Sequence, residues 1–505
     1  MDLKKYSRIT AVFLFVYAAA ALAEPSLTVY NQNFAVVRDQ INLKLTKGIN
    51  ELSVTDITAH LEPDSVILRD PKGRRALQIL EQNYRSDPIS QGLLLSLYEG
   101  KEIDFLTTDR EGEQKIKKGR IVRSGYVAHQ SGMQRYGSRY AQTQRTHAYG
   151  PAGQPIIEVD GMLRFGLPGL PLFPSLADDT ILKPTLHWVL NTDRSGRLNA
   201  ELSYVTGGMS WKADYSMLAG EKGDRLDVIG WVTIDNQSGK TFDNARIKLM
   251  AGDVSKIQDD QDRYRYSGMM SEVQASMPSP VSEKAFDEYH LYTLNRPATL
   301  HDRETKQVEF LRAEGVNSQR LYVYDGAKID YRRYRGWTPD NIRRNRDYGT
   351  DCNPKVWVMK EFENSGKNNL GIPLPRGVVR FYRRDDDGQL EFTGENIIDH
   401  TPKDETVRVY TGNAFDLVGE RKRTHYQIDT NADWLDEAFE IKVRNHKENQ
   451  TVEFRVVEHL YRWINWDIVQ KSDDFIKTDS QTVEFRVLVR PGQEKVITYK
   501  VHYSW

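Results

Sequence analysis

Only one cysteine, Cys352, occurs in 505 residues, so the chain can form no intrachain disulfide and no cluster of thiolate metal ligands. Histidine is scarce as well, 11 in all, and no two fall at the spacing of a zinc-protease helix. Past residue 23 there is no uninterrupted apolar run of about eighteen residues, the length a membrane-spanning helix needs. Nor is there an excess of charge: 70 Lys and Arg face 71 Asp and Glu. That balance argues against a nucleic-acid binder, which concentrates a basic surplus on one face.

What is present begins with a leader. Lys4, Lys5 and Arg8 precede an apolar run over residues 11–23, which ends Ala21-Leu22-Ala23 ahead of Glu24-Pro25. Basic start, apolar core and small-x-small site predict a secretory signal peptide over residues 1–23, too short to serve comfortably as an anchor. Removing it takes away three bases and Asp2, leaving 67 basic and 70 acidic residues, a net charge of −3. The residue at the cleavage point is Glu24 and not a cysteine, which excludes a lipid-modified N-terminus there. The expected location is secreted or periplasmic, and the length predicts about two to four domains.

The mature chain reads as all-β. Short runs with alternating polarity, separated by Gly, Asn and Asp, predict antiparallel sheets with one wet face. They divide the chain into an N-terminal strand domain (24–91), a small barrel-like segment (92–175), a first sandwich part (176–255), a linker (256–290), a second sandwich part (291–425) and a C-terminal immunoglobulin-like domain (426–505). Leu93-Leu94-Leu95-Ser96-Leu97 is expected to be one of the barrel strands. Residues 132–153, rich in Gln, Tyr, Arg and Gly, are expected to be a long loop.

Three times a strand runs into an asparagine and a polar turn: Ile234-Asp235-Asn236-Gln237-Ser238-Gly239, Phe362-Glu363-Asn364-Ser365-Gly366 and Val443-Arg444-Asn445-His446-Lys447. Asparagine bonds its own backbone and tolerates the left-handed conformation, so it ends strands well. Thr-Val-Glu-Phe-Arg-Val occurs at 451–456 and again at 482–487. Units repeated at this spacing predict immunoglobulin-like sandwiches without cysteines.

A polar excursion over residues 325–351 carries Arg332, Arg333, Arg335, Arg343, Arg344 and Arg346 among Tyr331, Tyr334, Trp337 and Tyr348. Interleaved guanidinium groups and rings can hold an anionic or glycan ligand, although charge runs are also common on solvated loops. Arg332, Arg333, Trp337, Arg343 and Arg344 are the candidate binding residues.

Further motifs carry a resemblance. Tyr204-Val205-Thr206-Gly207-Gly208-Met209-Ser210-Trp211 is followed by Asn236-Gln237-Ser238-Gly239, Leu249-Met250-Ala251-Gly252-Asp253, Leu370-Gly371-Ile372-Pro373-Leu374-Pro375 and Asp399-His400-Thr401-Pro402. In this series, over residues 186–505, the chain resembles the family catalogued as domain of unknown function 4139. The resemblance implies a β-rich cell-envelope protein and supplies no catalytic residues. Many members look as if they begin with a coiled coil, whereas residues 24–175 here read as strands.

Several near-motifs fall short of chemistry. Gly208-Met209-Ser210-Trp211-Lys212 has Lys where a nucleophile elbow needs Gly. Ser238-Gly239-Lys240-Thr241 lies between strands, without the helix N-terminus that faces a phosphate. His446 and His459 flank one expected hairpin and could approach each other with Glu458. Asp385-Asp386-Asp387-Gly388 reads as a hairpin tip rather than a calcium loop. Glu361 and Glu363 share one strand face at about 6.5–7 Å, a separation found in inverting glycosidases. Trp211, Trp231 and Trp357 fall at positions expected for sandwich cores. The sequence therefore predicts a non-catalytic binding or scaffold protein with a protein or glycan partner, no cofactor and no metal site. The alternatives are a hydrolase of envelope polysaccharide and an assembly factor that pairs through a sheet edge.

Overall fold

A computed structural model describes residues 24–85, 89–108, 112–126, 154–176, 180–220, 225–252, 254–256, 281–329 and 332–505. The leader, residues 132–153 and most of the expected linker lie outside them. The described chain is mostly strand, arranged in several sheets that pack as layers. No helix among the described residues is long and apolar enough to cross a membrane.

The largest core is shared by four sheets, since Phe362, Val407 and Val409 of the C-terminal nine-stranded sheet join the three described next. In an eight-stranded sheet, Ser26–Tyr30 lies between Phe34–Leu45, antiparallel, and Phe242–Ala251, parallel. A three-stranded sheet joins Gly48–Val54, Thr185–Thr192 and Leu77–Arg85, and a five-stranded sheet runs from Glu304–Asn317 to Leu390–Ile398. Strands from residues 24–91 and from 176–255 thus pair within the same sheets. Residues 281–290, expected to be linker, belong to the hairpin Val281–Phe286 and Tyr289–Leu294.

Alternation places the apolar side chains. Trp188 and Trp211 are buried, and each indole nitrogen donates a hydrogen bond, to Gln82 Oε1 at 2.8 Å and to the Met250 carbonyl at 3.0 Å. Trp231 and Trp357 are only half-buried. Trp231 has the outward parity of its strand, because Val232 and Ile234 point inward.

The segment after residue 88 is not a closed barrel. It is an open five-stranded sheet in the order Leu170–Leu172, Glu102–Thr108, Gln114–Arg123, Ile156–Val159, Met162–Phe165, and its two edge strands do not pair. Pro171 lacks the amide that closure at that edge would need. The leucine run is also not a strand: Gln91–Leu97 is a helix capped by the Ser90 hydroxyl, which accepts from the Leu93 amide at 3.2 Å. Unbranched leucines behind an N-cap serine favour helix. The helix covers one face of the sheet over Ile103, Phe105, Ile121 and Ile157.

The C-terminal region is a nine-stranded sheet folded onto itself around a second core. Its longest strand, Thr406–Asp429, pairs with Lys355–Glu363 through its first half and with Trp434–Asn445 through its second. The two Thr-Val-Glu-Phe-Arg-Val segments are antiparallel neighbours, with Phe454 opposite Val487 and Val456 opposite Phe485.

The three asparagine turns share one device. Asn236, Asn364 and Asn445 are fully buried. Each donates through Nδ2 to loop carbonyls: Lys240, Leu300 and His301; Ile372 and Pro402; Gln450 and Val489. Each accepts a backbone amide through Oδ1, from Ser238, Gly371 and Lys447. None adopts positive φ, so these residues act as hydrogen-bond hubs that tie a loop to a strand end.

Candidate functional site

Charged side chains at inward positions mark one end of the C-terminal sandwich. Arg421 follows Leu417 and Gly419 on the inward parity of its strand, Glu437 lies between Leu435 and Phe439, and Glu458 follows Val456. All three are buried, as is Arg462. Such burial is tolerable only where each charge is paired and each donor used.

The pairing is extensive. Arg421 Nε lies 2.9 Å from both Glu458 oxygens, and its guanidinium stacks 4.0 Å from the Phe439 ring. Tyr499 donates its hydroxyl to Glu458. Arg462 grips Glu437 with Nε at 3.1 Å and Nη2 at 2.9 Å, and Arg423 reaches the same carboxylate at 3.1 Å. Burial lowers the acidity of the Tyr499 and Tyr503 hydroxyls, raising both pKa values well above the usual phenol range. Burial alone would lower the pKa of Arg421, but Glu458 and Tyr499 together more than offset it and raise the value.

The remaining donors of these arginines turn toward residues 332–351. Arg421 Nη1 donates to the Gly349 carbonyl at 2.7 Å. Arg462 donates to the carbonyls of Ile342 and Asn345, both at 2.6 Å, and of Tyr348 at 3.0 Å. Arg423 takes the Arg346 carbonyl and Tyr426 that of Arg344. The local sequence explains why these carbonyls are available. Thr338 and Pro339 start the short helix Pro339–Arg344, and its last carbonyls lack intrahelical partners. Arg462 supplies a partner to Ile342 and the Tyr426 hydroxyl one to Arg344, while the other carbonyls belong to the turns that follow the helix. The excursion is therefore a packed cap on the sandwich, not a solvated loop.

The five candidate residues are distributed unequally on this cap. Arg332 and Arg333 are exposed on its outer turn, with Arg333 placed 5.4 Å from the Tyr334 ring. Trp337 is half-buried and meets Tyr334 edge-on at 4.9 Å, and Tyr348 also packs edge-on against Tyr334 at 5.0 Å. Arg344 is exposed. Arg343 instead turns inward, bonded to Asp340 and held 4.2 Å from the Trp463 ring and 4.9 Å from that of Trp505. Arg332, Arg333 and Trp337 thus share an outer surface that Arg343 does not join. The clamp residues Arg421, Arg423, Glu437, Glu458 and Arg462 were missed in the sequence; their signal was charge at apolar-facing positions of alternating strands.

Other titratable groups have partners of their own. Lys240 is buried with Nζ 3.0 Å from Asp39 Oδ2 and from Asp56 Oδ2. Beside it, burial pushes the Tyr204 phenol up to about 12. Glu361 is held by the Arg408 guanidinium at 2.6 Å, whereas Glu363 is exposed at the end of the same strand. His459 sits between Asp325 Oδ2 at 3.0 Å and Thr482 Oγ1 at 3.3 Å, so both ring nitrogens are engaged. Residues 385–388 form the tip of the hairpin Gly377–Arg384 and Leu390–Ile398. Gly208, at φ 78°, is a turn between strands, so Ser210 stands on no elbow. Among the described residues no group of three or more His, Cys, Asp or Glu is placed to hold a metal ion.

Compared with known proteins, the chain matches no protein-family model and no curated protein.

Proposed function

We propose that this chain acts outside the cytoplasm as a binding or scaffold protein, and that it meets an anionic or glycan partner through the outer surface of residues 332–351. The observation that carries this reading is the construction of the cap. Its inner side is fixed by buried arginines, while Arg332, Arg333, Arg335 and Arg344 are exposed beside Tyr334 and Trp337. Guanidinium groups on a fixed base can combine ion pairing with stacking on sugar rings or planar groups.

The secreted or periplasmic location rests on the leader. It is supported by Glu24, whose carboxylate holds Arg246 and Asn244 at 2.9 Å, so cleavage before Glu24 keeps the first strand tied down. On this reading the sandwich layers are immunoglobulin-like, and the motif series over residues 186–505 relates the chain to the envelope family it resembles.

The test replaces Arg332, Arg333 and Arg344 by Ala together. Retention on an immobilised anionic polysaccharide, and of envelope components on the immobilised protein, should fall at low salt. The unfolding free energy should stay within about 0.5 kcal/mol, as for exposed positions. Unchanged retention at both low and physiological salt would overturn the reading, because exposed ion pairs respond to charge removal and to screening.

A further inference from the structure

The open five-stranded sheet has two edges of different character. At one, Leu170–Leu172 carries Pro171, which removes a donor and blunts the edge. At the other, Met162–Phe165 contains no proline, and Met162, Leu163 and Phe165 are 71%, 65% and 68% exposed. Apolar side chains on an unblunted edge strand are what monomeric sheets avoid.

The backbone of this edge is oriented to pair. Phe165 lies opposite Ile156, and the Gly166 amide donates to the Pro155 carbonyl. That places Phe165 and Leu163 at non-hydrogen-bonded positions against Ile156–Val159, with Arg164 bonded to Ile157 between them. The amides and carbonyls of Leu163 and Phe165 therefore point away from the sheet, toward its open side. Both side chains stand on the face opposite the helix, with Val122 and Ile156 next to them.

We propose that this edge pairs with the same edge of a second copy, antiparallel about a two-fold axis at Arg164. Leu163 of each copy then faces Phe165 of the other, an aliphatic–aromatic cross-strand pair on one face. The outward amides and carbonyls of both residues find partners across the axis. The sequence of the edge is self-complementary in this register, which is what an isologous interface requires. A four-residue edge buries less than the roughly 1,600 Å² of a standard interface, so the dimer is weak and concentration-dependent. Arg164 of the two copies meet on the other face, and their repulsion weakens the pair further at low ionic strength.

Sedimentation of the whole mature chain, from dilute to near-millimolar protein, should show reversible monomer–dimer exchange that tightens with salt. Screening has the opposite effect on partner binding by the cap, so the two proposals fail separately. Leu163→Lys with Phe165→Glu should abolish the dimer, and Arg164→Thr should tighten it several-fold. In a Cys352→Ser background, Arg164→Cys should give a disulfide-linked dimer under mild oxidation. The two Cα atoms would be about 4.5 Å apart at this non-hydrogen-bonded pair, within disulfide reach. A monomer at every concentration would overturn the proposal. So would a dimer indifferent to the edge substitutions. Slow hydrogen exchange at Leu163 and Phe165 in a monomer would also overturn it, by showing that another part of the same chain fills the edge.

Discussion

The small sheet that follows residue 88 and the C-terminal sandwich solve the same burial problem in opposite ways. Among the described residues, the small sheet buries Leu95, Tyr98, Ile103, Phe105, Ile121 and Ile157 in its core, keeps its Arg120–Glu158 pair on the surface and has no element packed on its outer face. The sandwich buries arginines and glutamates among its rings and covers them with a dedicated cap. A buried guanidinium has five donors, and a single carboxylate cannot use them all. The sandwich therefore needed extra carbonyls close by, and residues 342–349 provide them. A core without buried charge makes no such demand, so nothing in the small sheet calls for a cover.

The substitution that should separate the two regions most strongly is Glu458→Ala. It strands the Arg421 guanidinium in the interior and removes the acceptor of Tyr499, which by analogy with other buried pairs costs about 3–5 kcal/mol. Urea unfolding of the sandwich should shift accordingly, while hydrogen exchange in Glu102–Thr108 and Gln114–Arg123 stays unchanged. If both regions lose protection together, they form one cooperative unit and the contrast between them fails.

Two glycines sharpen the comparison at smaller amplitude. A Cβ on Gly419 would lie 2.0 Å from the ring of the fully buried Tyr324, whereas one on Gly119 would meet the side-chain ends of Ile157 and Phe105 at 2.9 Å. Overpacking typically costs about 1–3 kcal/mol. Gly419→Ala should fall at or above the upper end and Gly119→Ala near the lower, as measured by denaturant midpoints. A larger loss at Gly119 would mean that the small sheet is the more tightly packed of the two.

The smallest effect concerns pH. Burial lowers the pKa of His459, but the bonded Asp325, with Glu458 and Asp479, outweighs it and raises the value above the ordinary imidazole range. A raised folded pKa means that the stabilisation is fully present below the unfolded value of about 6.5 and is lost as pH climbs through the folded one. Asp325 is the root of the capping excursion, so amide exchange across residues 332–351 should quicken as pH rises from mildly acidic to mildly alkaline, after correction for intrinsic rates. His459→Gln should flatten that dependence. The same dependence in the variant would assign it to another group.

Period-two polarity was legible because each strand has one wet face, and the asparagine turns were legible because one side chain does the same work in all three. The leucine run was not, since it carries no alternation and helix and strand are equally apolar there; the signal lay in Ser90 ahead of it. In the excursion, counting arginines could not separate Arg343 from its exposed neighbours, because the Trp463 and Trp505 rings that it packs against come from far along the chain. Pairings such as Ser26–Tyr30 with Phe242–Ala251 leave no local mark, because nothing near either strand encodes the register between them.

That last pairing sets a timetable. Leu27 and Val29 are fully buried once the eight-stranded sheet is complete, yet one of the two strands that flank them ends at Ala251. A chain elongating at about 5–20 residues per second makes the intervening roughly 220 residues in some 10–45 s. Until Gly196–Gly207 is made and pairs with Phe34–Leu45, the first two strands have only each other, and two strands alone are marginal in water; the other flank of Ser26–Tyr30 stays open until Ala251. The first strand is thus among the last parts of its sheet able to settle, because one of its two neighbours lies some 220 residues further along the chain.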